Sequence, residues 1–140
     1  MTYYVADKRN IIKFVADQLR ASVTPNVFET FKWLDQINDF PTICLHIETD
    51  YKSHAESSPN VVGGDFNMII RGYIHSEDVV GAGDDLIQQI EDTINSITAV
   101  NAIQIDDIHI NSVEHDEGLF EPYGTVTVNV DIAYRHADIA

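Results

Sequence analysis

From Gly124 to Tyr134 every even position is apolar or small: Gly124, Val126, Val128, Val130, Ile132 and Tyr134. The odd positions between them are Thr125, Thr127, Asn129, Asp131 and Ala133. A period of two held this long specifies one half-buried β-strand, with a core face and a wet face. A second strand is expected just before it, from Ala102 to Val113, joined by the acidic turn Glu114 to Gly124. So long a hairpin, in a small acidic chain without a catalytic motif, points to a scaffold or assembly protein.

The remaining elements follow from spacing. Ile11, Val15 and Leu19 recur every fourth residue, with Ile12 and Phe14 beside them, so a helix is expected from about Asp7 to Ala21. Asp7 is its expected N-cap, and the stretch before Pro25 ends it. Val27 to Ile37 is ambiguous: Phe28, Phe31, Leu34 and Ile37 fall every third residue, which suits a short helix or an irregular arm. Its large apolar groups, Trp33 among them, need cover from the core or from a neighbouring subunit.

Phe40-Pro41 opens a strand from Thr42 to Thr49, and another runs from Phe66 to His75. Asp50 to Asp65 between them reads as a long loop, and loops of that length in a compact domain are usually functional or disordered. Ser76 to Gly83 should break structure, and Asp84 should cap a second helix reaching about Ile97, with Leu86, Ile87, Ile90, Ile94 and Ile97 as its apolar stripe. The order predicts a single α+β domain over residues 1–140: an N-terminal helix at about 7–21, then sheet and second helix over about 42–136. The sheet is expected to be mostly antiparallel, of about four strands, with two flanking helices.

Composition narrows the function. The chain has 23 Asp and Glu against 8 Lys and Arg, a formal charge of -15. Such a surface repels phosphate backbones and anionic lipid. The acidity serves solubility, or it lines a passage through which another polyanion must slide without sticking. Cys44 is the only cysteine, so no disulfide can form within the chain, which fits a reducing compartment. No apolar run approaches the ~18 residues of a membrane span. Asp7, Lys8 and Arg9 interrupt any signal-peptide core, so a soluble cytoplasmic product is expected.

No chemistry is framed. His46 and Glu48 share a strand face but have no evident third or fourth metal ligand. Glu114, Asp116, Glu117 and Glu121 crowd one turn without the alternating ligands of a calcium loop. Cys44 sits between Ile43 and Leu45, where a cysteine simply packs. Val80-Gly81-Ala82-Gly83 lacks a basic residue for phosphate, and Asp84-Asp85 would oppose an anion.

Four segments together carry a resemblance: Phe40-Pro41-Thr42-Ile43; the strand around Ile70-Arg71-Gly72-Tyr73-Ile74; the helix from Asp85 to Glu91; and Gly118-Leu119-Phe120-Glu121-Pro122-Tyr123-Gly124 with its alternating strand. In order and character they resemble the tail terminator, or tail-completion, proteins of tailed bacteriophages. The resemblance implies a structural virion protein without enzymatic activity or cofactor. It implies a six-fold ring that caps the tail tube, stops its polymerisation and meets the neck or head-completion proteins. DNA would pass through the bore without specific binding, and a contractile tail would add the sheath as a partner. Assembly would take place in the host cytoplasm.

Under that resemblance the candidate surfaces are three. Phe28, Phe31, Trp33 and Leu34 are candidates for the subunit interface. Tyr51, Lys52, Phe120 and Tyr123 are candidates for docking to tube and neck. Asp84, Asp85, Asp106, Asp107, Asp116 and Glu117 are candidates for an acidic bore. The rivals are another ring of the neck or head closure and, from a different class, a small metabolite-binding α+β domain or enzyme.

Overall fold

The computed structural model describes residues 3–54, 61–97, 99–100, 103–116 and 121–137. Helix α1 spans Tyr3–Ser22 and helix α2 spans Val79–Asn95. The strands are β1 (Val27–Phe28), β2 (Thr42–His54), β3 (Val61–His75), β4 (Ala99–Val100), β5 (Ile103–His115) and β6 (Tyr123–Ala137). They form one sheet in the order β1-β2-β3-β6-β5-β4. The α+β architecture with two helices is as the sequence predicts. The sheet is larger and mixed: two short edge strands flank the four long ones, and β1 runs parallel to β2.

One face of the sheet carries the main core. Val126, Val128, Val130, Ile132 and Tyr134 of β6, with Phe66, Met68, Ile70 and Ile74 of β3, are buried against both helices. Ile11, Val15, Ala16 and Leu19 from α1 and Leu86, Ile90 and Ile94 from α2 complete it. Truncating one such residue, Ile90 for example, should cost about 2–5 kcal/mol through lost transfer energy and the cavity left behind. Gly72 on β3 lets α2 settle this closely, since a β-carbon there would meet Leu86 Cδ2 at 2.5 Å.

Helix α1 begins four residues before the expected start, so Asp7 lies inside it rather than at its cap. Val23 and Thr24 both donate backbone N–H to the Leu19 carbonyl, and the chain leaves the helix before Pro25. Arg20 in the last turn complements the helix dipole and donates to the Val27 carbonyl at 2.9 Å, tying α1 to β1.

Helix α2 corrects the expectation for its neighbourhood. It starts at Val79 with Asp78, not Asp84, as N-cap, the carboxylate accepting from Gly81 N at 3.1 Å. Gly81 and Gly83 are therefore helical despite their propensity, and the helix closes at Asn95, short of Ile97. The predicted loop from Asp50 to Asp65 is overturned in the same way. Tyr51 to His54 continue β2, paired with Asp65 to Val62 of β3, and residues 55–60 lie outside the described set. Hydrogen bonding between β2 and β3 overrode a polar composition that signals a loop in isolation.

Candidate assembly surfaces

Among the described residues, the second face of the sheet is covered only at one end. After β1 the chain turns across β2 and β3, makes one 3-10 turn at Leu34–Gln36 and re-enters the sheet through a cis Phe40–Pro41 peptide. Ile37, Cys44 and Tyr73 form a small core beneath this arm, with Leu34 and Phe40 packed against it. The Tyr73 hydroxyl donates to the Lys32 carbonyl at 2.5 Å, and Trp33 N donates to Gln36 Oε1 at 2.9 Å. Burial pushes the Cys44 thiol above its ordinary value of 9.0, against the lowering pull of Lys32 and Arg71. Burial likewise raises the Tyr73 phenol, against Arg71.

Arm residues 27–37 are thus neither a helix nor wholly a subunit contact. Leu34 is half-buried in its own chain's second core. The half-buried ring of Phe31 meets Trp33 edge-on at 4.8 Å and His46 at 5.7 Å, and the Arg71 guanidinium lies 5.0 Å from its centre. Two groups are left facing water: Phe28 is 40% exposed and Trp33 66%. An exposed tryptophan on an ordered segment is a natural contact anchor.

The rest of that face is open and polar. Reading across β3, β6 and β5, it presents Asp65, Asn67, Thr125, Thr127, Asn129, Asp131, Asp107, His109, Ser112 and Glu114. His109 bridges two strands, with Nδ1 2.7 Å from Asp107 Oδ2 and Nε2 3.4 Å from Asp131 Oδ2. Asn67 donates to Asp131 at 2.7 Å. Asp106 is held by Arg135, whose Nε lies 2.8 Å from Oδ2. A shallow furrow of about 210 Å³ runs among Asp65, Asn67, Asp107, His109 and Asp131. Among the described residues no three His, Cys, Asp or Glu side chains are grouped to hold a metal ion.

The proposed bore acids separate onto different layers. Asp106 and Asp107 stand on the strand layer. Asp84 and Asp85 are exposed on α2, in the helix layer across the sheet, so the two pairs cannot line one surface of a single subunit. Asp116 has a local task, accepting from Thr125 N at 3.0 Å beside His115. Glu117 lies outside the described residues. Asp65, Asp131 and Glu114 belong with Asp107 on the open face; Glu114 stood out in sequence only as part of an acidic turn, and Asp65 and Asp131 were not singled out. Asp131 was legible in the odd register of the alternating strand, whereas Asp65 was hidden by the mistaken loop.

Of the proposed docking residues, Tyr51 and Lys52 lie in β2 rather than in a loop. Tyr123 opens β6, stacked 4.8 Å from His75 and 5.8 Å from Phe40, and is 39% exposed. Phe120 lies outside the described residues. Hollows flank Phe40 on both sides. The one of about 430 Å³ has Leu34, Ile37 and Tyr123 in its wall, and the one of about 300 Å³ has Leu86 and Asp85. No helix among the described residues is long and apolar enough to cross a membrane.

A helix-backed sheet with an open polar face defines an α+β domain that displays surfaces. The sequence gives it a family. Residues 9–140 match the bacteriophage tail tube terminator proteins, and the chain belongs to that family. No curated protein matches it in sequence. Its fold is similar to that of a chain in the virion of the native gene transfer agent particle, with a TM-score of 0.57 over 86% of this chain and 91% of that one. The two are 9% identical, so the likeness is one of fold.

Proposed function

We propose that the chain is the ring-forming subunit that ends a phage tail: it caps the tail tube, stops its polymerisation and joins the tail to the neck or head. The family match over residues 9–140 carries this reading. A closed ring, six-fold in this reading, needs two different contact surfaces per subunit, because a head-to-tail contact is heterologous. Phe28 and Trp33 supply exposed apolar side chains for one of them. The open polar face faces inward, where Asp65, Asp107, Asp131 and Glu114 keep DNA from gripping the wall. Tyr51 and Lys52 towards the end of β2 and Tyr123 at the start of β6 serve, with Phe120, the rims that meet tube and neck, with a sheath as a further neighbour in a contractile tail. The chemistry is assembly, with no enzyme step or cofactor, first in the host cytoplasm and then in the virion.

The test is genetic and visual. Without the protein, tails should vary in length and fail to join heads, and restored protein should be found at one end of each tail. Tails of normal, uniform length that join heads in its absence would refute the reading. Shortening residues 53–60, or replacing Tyr51 with alanine, should leave rings intact but impair capping or joining. Normal virions from both variants would remove that end of the sheet as a docking rim.

A further inference from the structure

Phe40 stands as a partition at one end of the sheet, where β2 and β6 begin and β3 ends. Its ring lies 5.7 Å from His75 and 5.8 Å from Tyr123. On the arm side is the hollow of about 430 Å³, walled by Leu34, Ile37 and Tyr123 with Asp35 beside them. On the helix side is the hollow of about 300 Å³, walled by Ile74, Ala82 and Leu86, with Asp85 and Gln89 one turn apart on α2. The walls are tied down within the chain. Thr24 Oγ1 donates to the Pro41 carbonyl at 2.9 Å, Thr42 Oγ1 to the Asp39 carbonyl at 2.5 Å, and Ser76 N to the Pro122 carbonyl at 2.9 Å. A hollow already formed spares its occupant the cost of ordering the wall.

The charge around both hollows has one sign. No Lys or Arg lines either of them among the described residues. Asp35 and Asp85 are exposed, and neither makes a hydrogen bond or ion pair among the described residues. Asp39, just before Phe40, and Glu77, just after Ser76, are exposed as well. Apolar walls with uncommitted carboxylates at their rims call for an occupant that is apolar and basic together.

We propose that this end of the sheet takes an extended segment of a different virion protein, with a large apolar side chain in the arm-side hollow and a Lys or Arg, two residues away, reaching across Phe40 to Asp85. This rests on the terminator reading above and adds the chemistry by which one rim recognises its neighbour. Alternate residues of an extended chain stand about 7 Å apart, enough to straddle one aromatic ring. The stem of the Lys or Arg lies along Ala82, Leu86 and the Phe40 ring, and its charged head meets Asp85 and Gln89.

Charge and symmetry set aside the occupants that this chain itself offers. Its own turn at 117–121 carries Glu117 and Glu121 and brings no base. Lys32-Trp33 of a second copy has the right chemistry, but Trp33 adjoins Leu34 of the hollow wall. Giving and receiving surfaces that overlap pair two copies about a two-fold axis and cannot hand a contact on around a ring.

Photo-cross-linking on purified tails identifies the occupant. Benzoylphenylalanine replaces Tyr123 for the arm-side hollow and, separately, Gln89 for the helix-side hollow, and the attached peptides are sequenced by mass spectrometry. Both positions should join the same segment of another virion protein, with a Lys or Arg two residues from a large apolar residue. Attachment to a second copy, to residues 117–121 of the same chain or to a segment without a basic residue would overturn the proposal, as would no product on tails that carry the chain. A synthetic peptide of the attached segment then tests the charge contact on the purified chain. Asp85→Asn should weaken its binding by about tenfold or more, and Asp84→Asn, at a residue that lines neither hollow, by less than about twofold. Asp85→Lys should bind the peptide only when the peptide's basic residue is exchanged for Glu, a rescue that damage to the fold cannot imitate. Equal losses from the Asp84 and Asp85 variants would overturn the contact. Each of these failures leaves the terminator reading standing as long as the chain is found at tail ends; a chain absent from tail ends would overturn both.

Discussion

Gly83 of α2 lies against the imidazole of His115 on β5, so closely that a β-carbon on the glycine would overlap the ring. The contact locks the first turns of the helix to the end of the long hairpin. It explains a glycine in a helix interior, where alanine is favoured by about 1 kcal/mol on propensity alone. Gly83→Ala should therefore destabilise the fold by about 1–3 kcal/mol, as overpacking does. Adding His115→Ala should recover most of that loss, since the substituted helix keeps its propensity gain. Denaturant melts of the two single variants and the double variant check this; additive effects would show that the two residues do not share the contact.

The arm over Cys44 and Tyr73 should loosen in alkali. Burial raises both groups, so the native state holds their protons where the unfolded chain has released them. Stability from this pair is fully present below the ordinary values of 9.0 and 10.0 and falls as pH rises through and beyond them. Tyr73→Phe removes the phenol and its bond to the Lys32 carbonyl, at a cost of about 0.5–1.5 kcal/mol. Trp33, the only tryptophan, reports the arm directly. Its fluorescence should shift at lower pH than global unfolding in the parent chain, and in Tyr73→Phe the shift should already be partly present at neutral pH.

The core was legible because its signal is local. The even residues of β6 and the α1 stripe of Ile11, Val15 and Leu19 are buried where their periods place them. What the sequence concealed depends on contacts between distant residues. Gly81 and Gly83 read as helix breakers, yet one sits over the Asp78 cap and the other against His115. Tyr51 to His54 read as loop because only pairing with β3 makes them strand. The six bore acids were grouped by charge, which carries no information about the layer. The open face is defined instead by register, which places Asp65 opposite Ala133, and Asp131 opposite His109.

Trp33 should matter to assembly and little to the fold. It is the most exposed of the large apolar side chains among the described residues, and its ring meets Phe31 edge-on. Trp33→Ala should change stability by about 0.5 kcal/mol or less, as for surface substitutions away from structural features. At a subunit contact the same truncation should cost about 2 kcal/mol or more, enough to shift the assembly midpoint by well over tenfold in concentration. Sedimentation of the variant against the parent across a concentration series separates the two. An unchanged midpoint would move the subunit contact away from the arm.

Assembly should also strengthen with salt. Each chain carries a formal charge of -15, and a ring brings several such charges together around one axis. At low ionic strength these fields overlap, because the screening length is about 30 Å at 0.01 M and about 8 Å at physiological strength. Repulsion of this kind opposes compact assembly without altering any contact. Raising salt from about 0.01 M to about 0.15 M should therefore lower the concentration at which rings form, the reverse of the trend for a contact held by ion pairs. Neutralising the open face should reproduce part of the effect at low salt. Asp107→Asn with Asp131→Asn removes charges that converge on His109, while leaving the α2 acids Asp84 and Asp85 in place as the comparison pair. If the open face lines the bore, neutralising Asp107 and Asp131 should promote ring formation more than neutralising Asp84 and Asp85. Light scattering across the salt series decides it, and equal effects from the two pairs would mean that the sheet face does not turn inward.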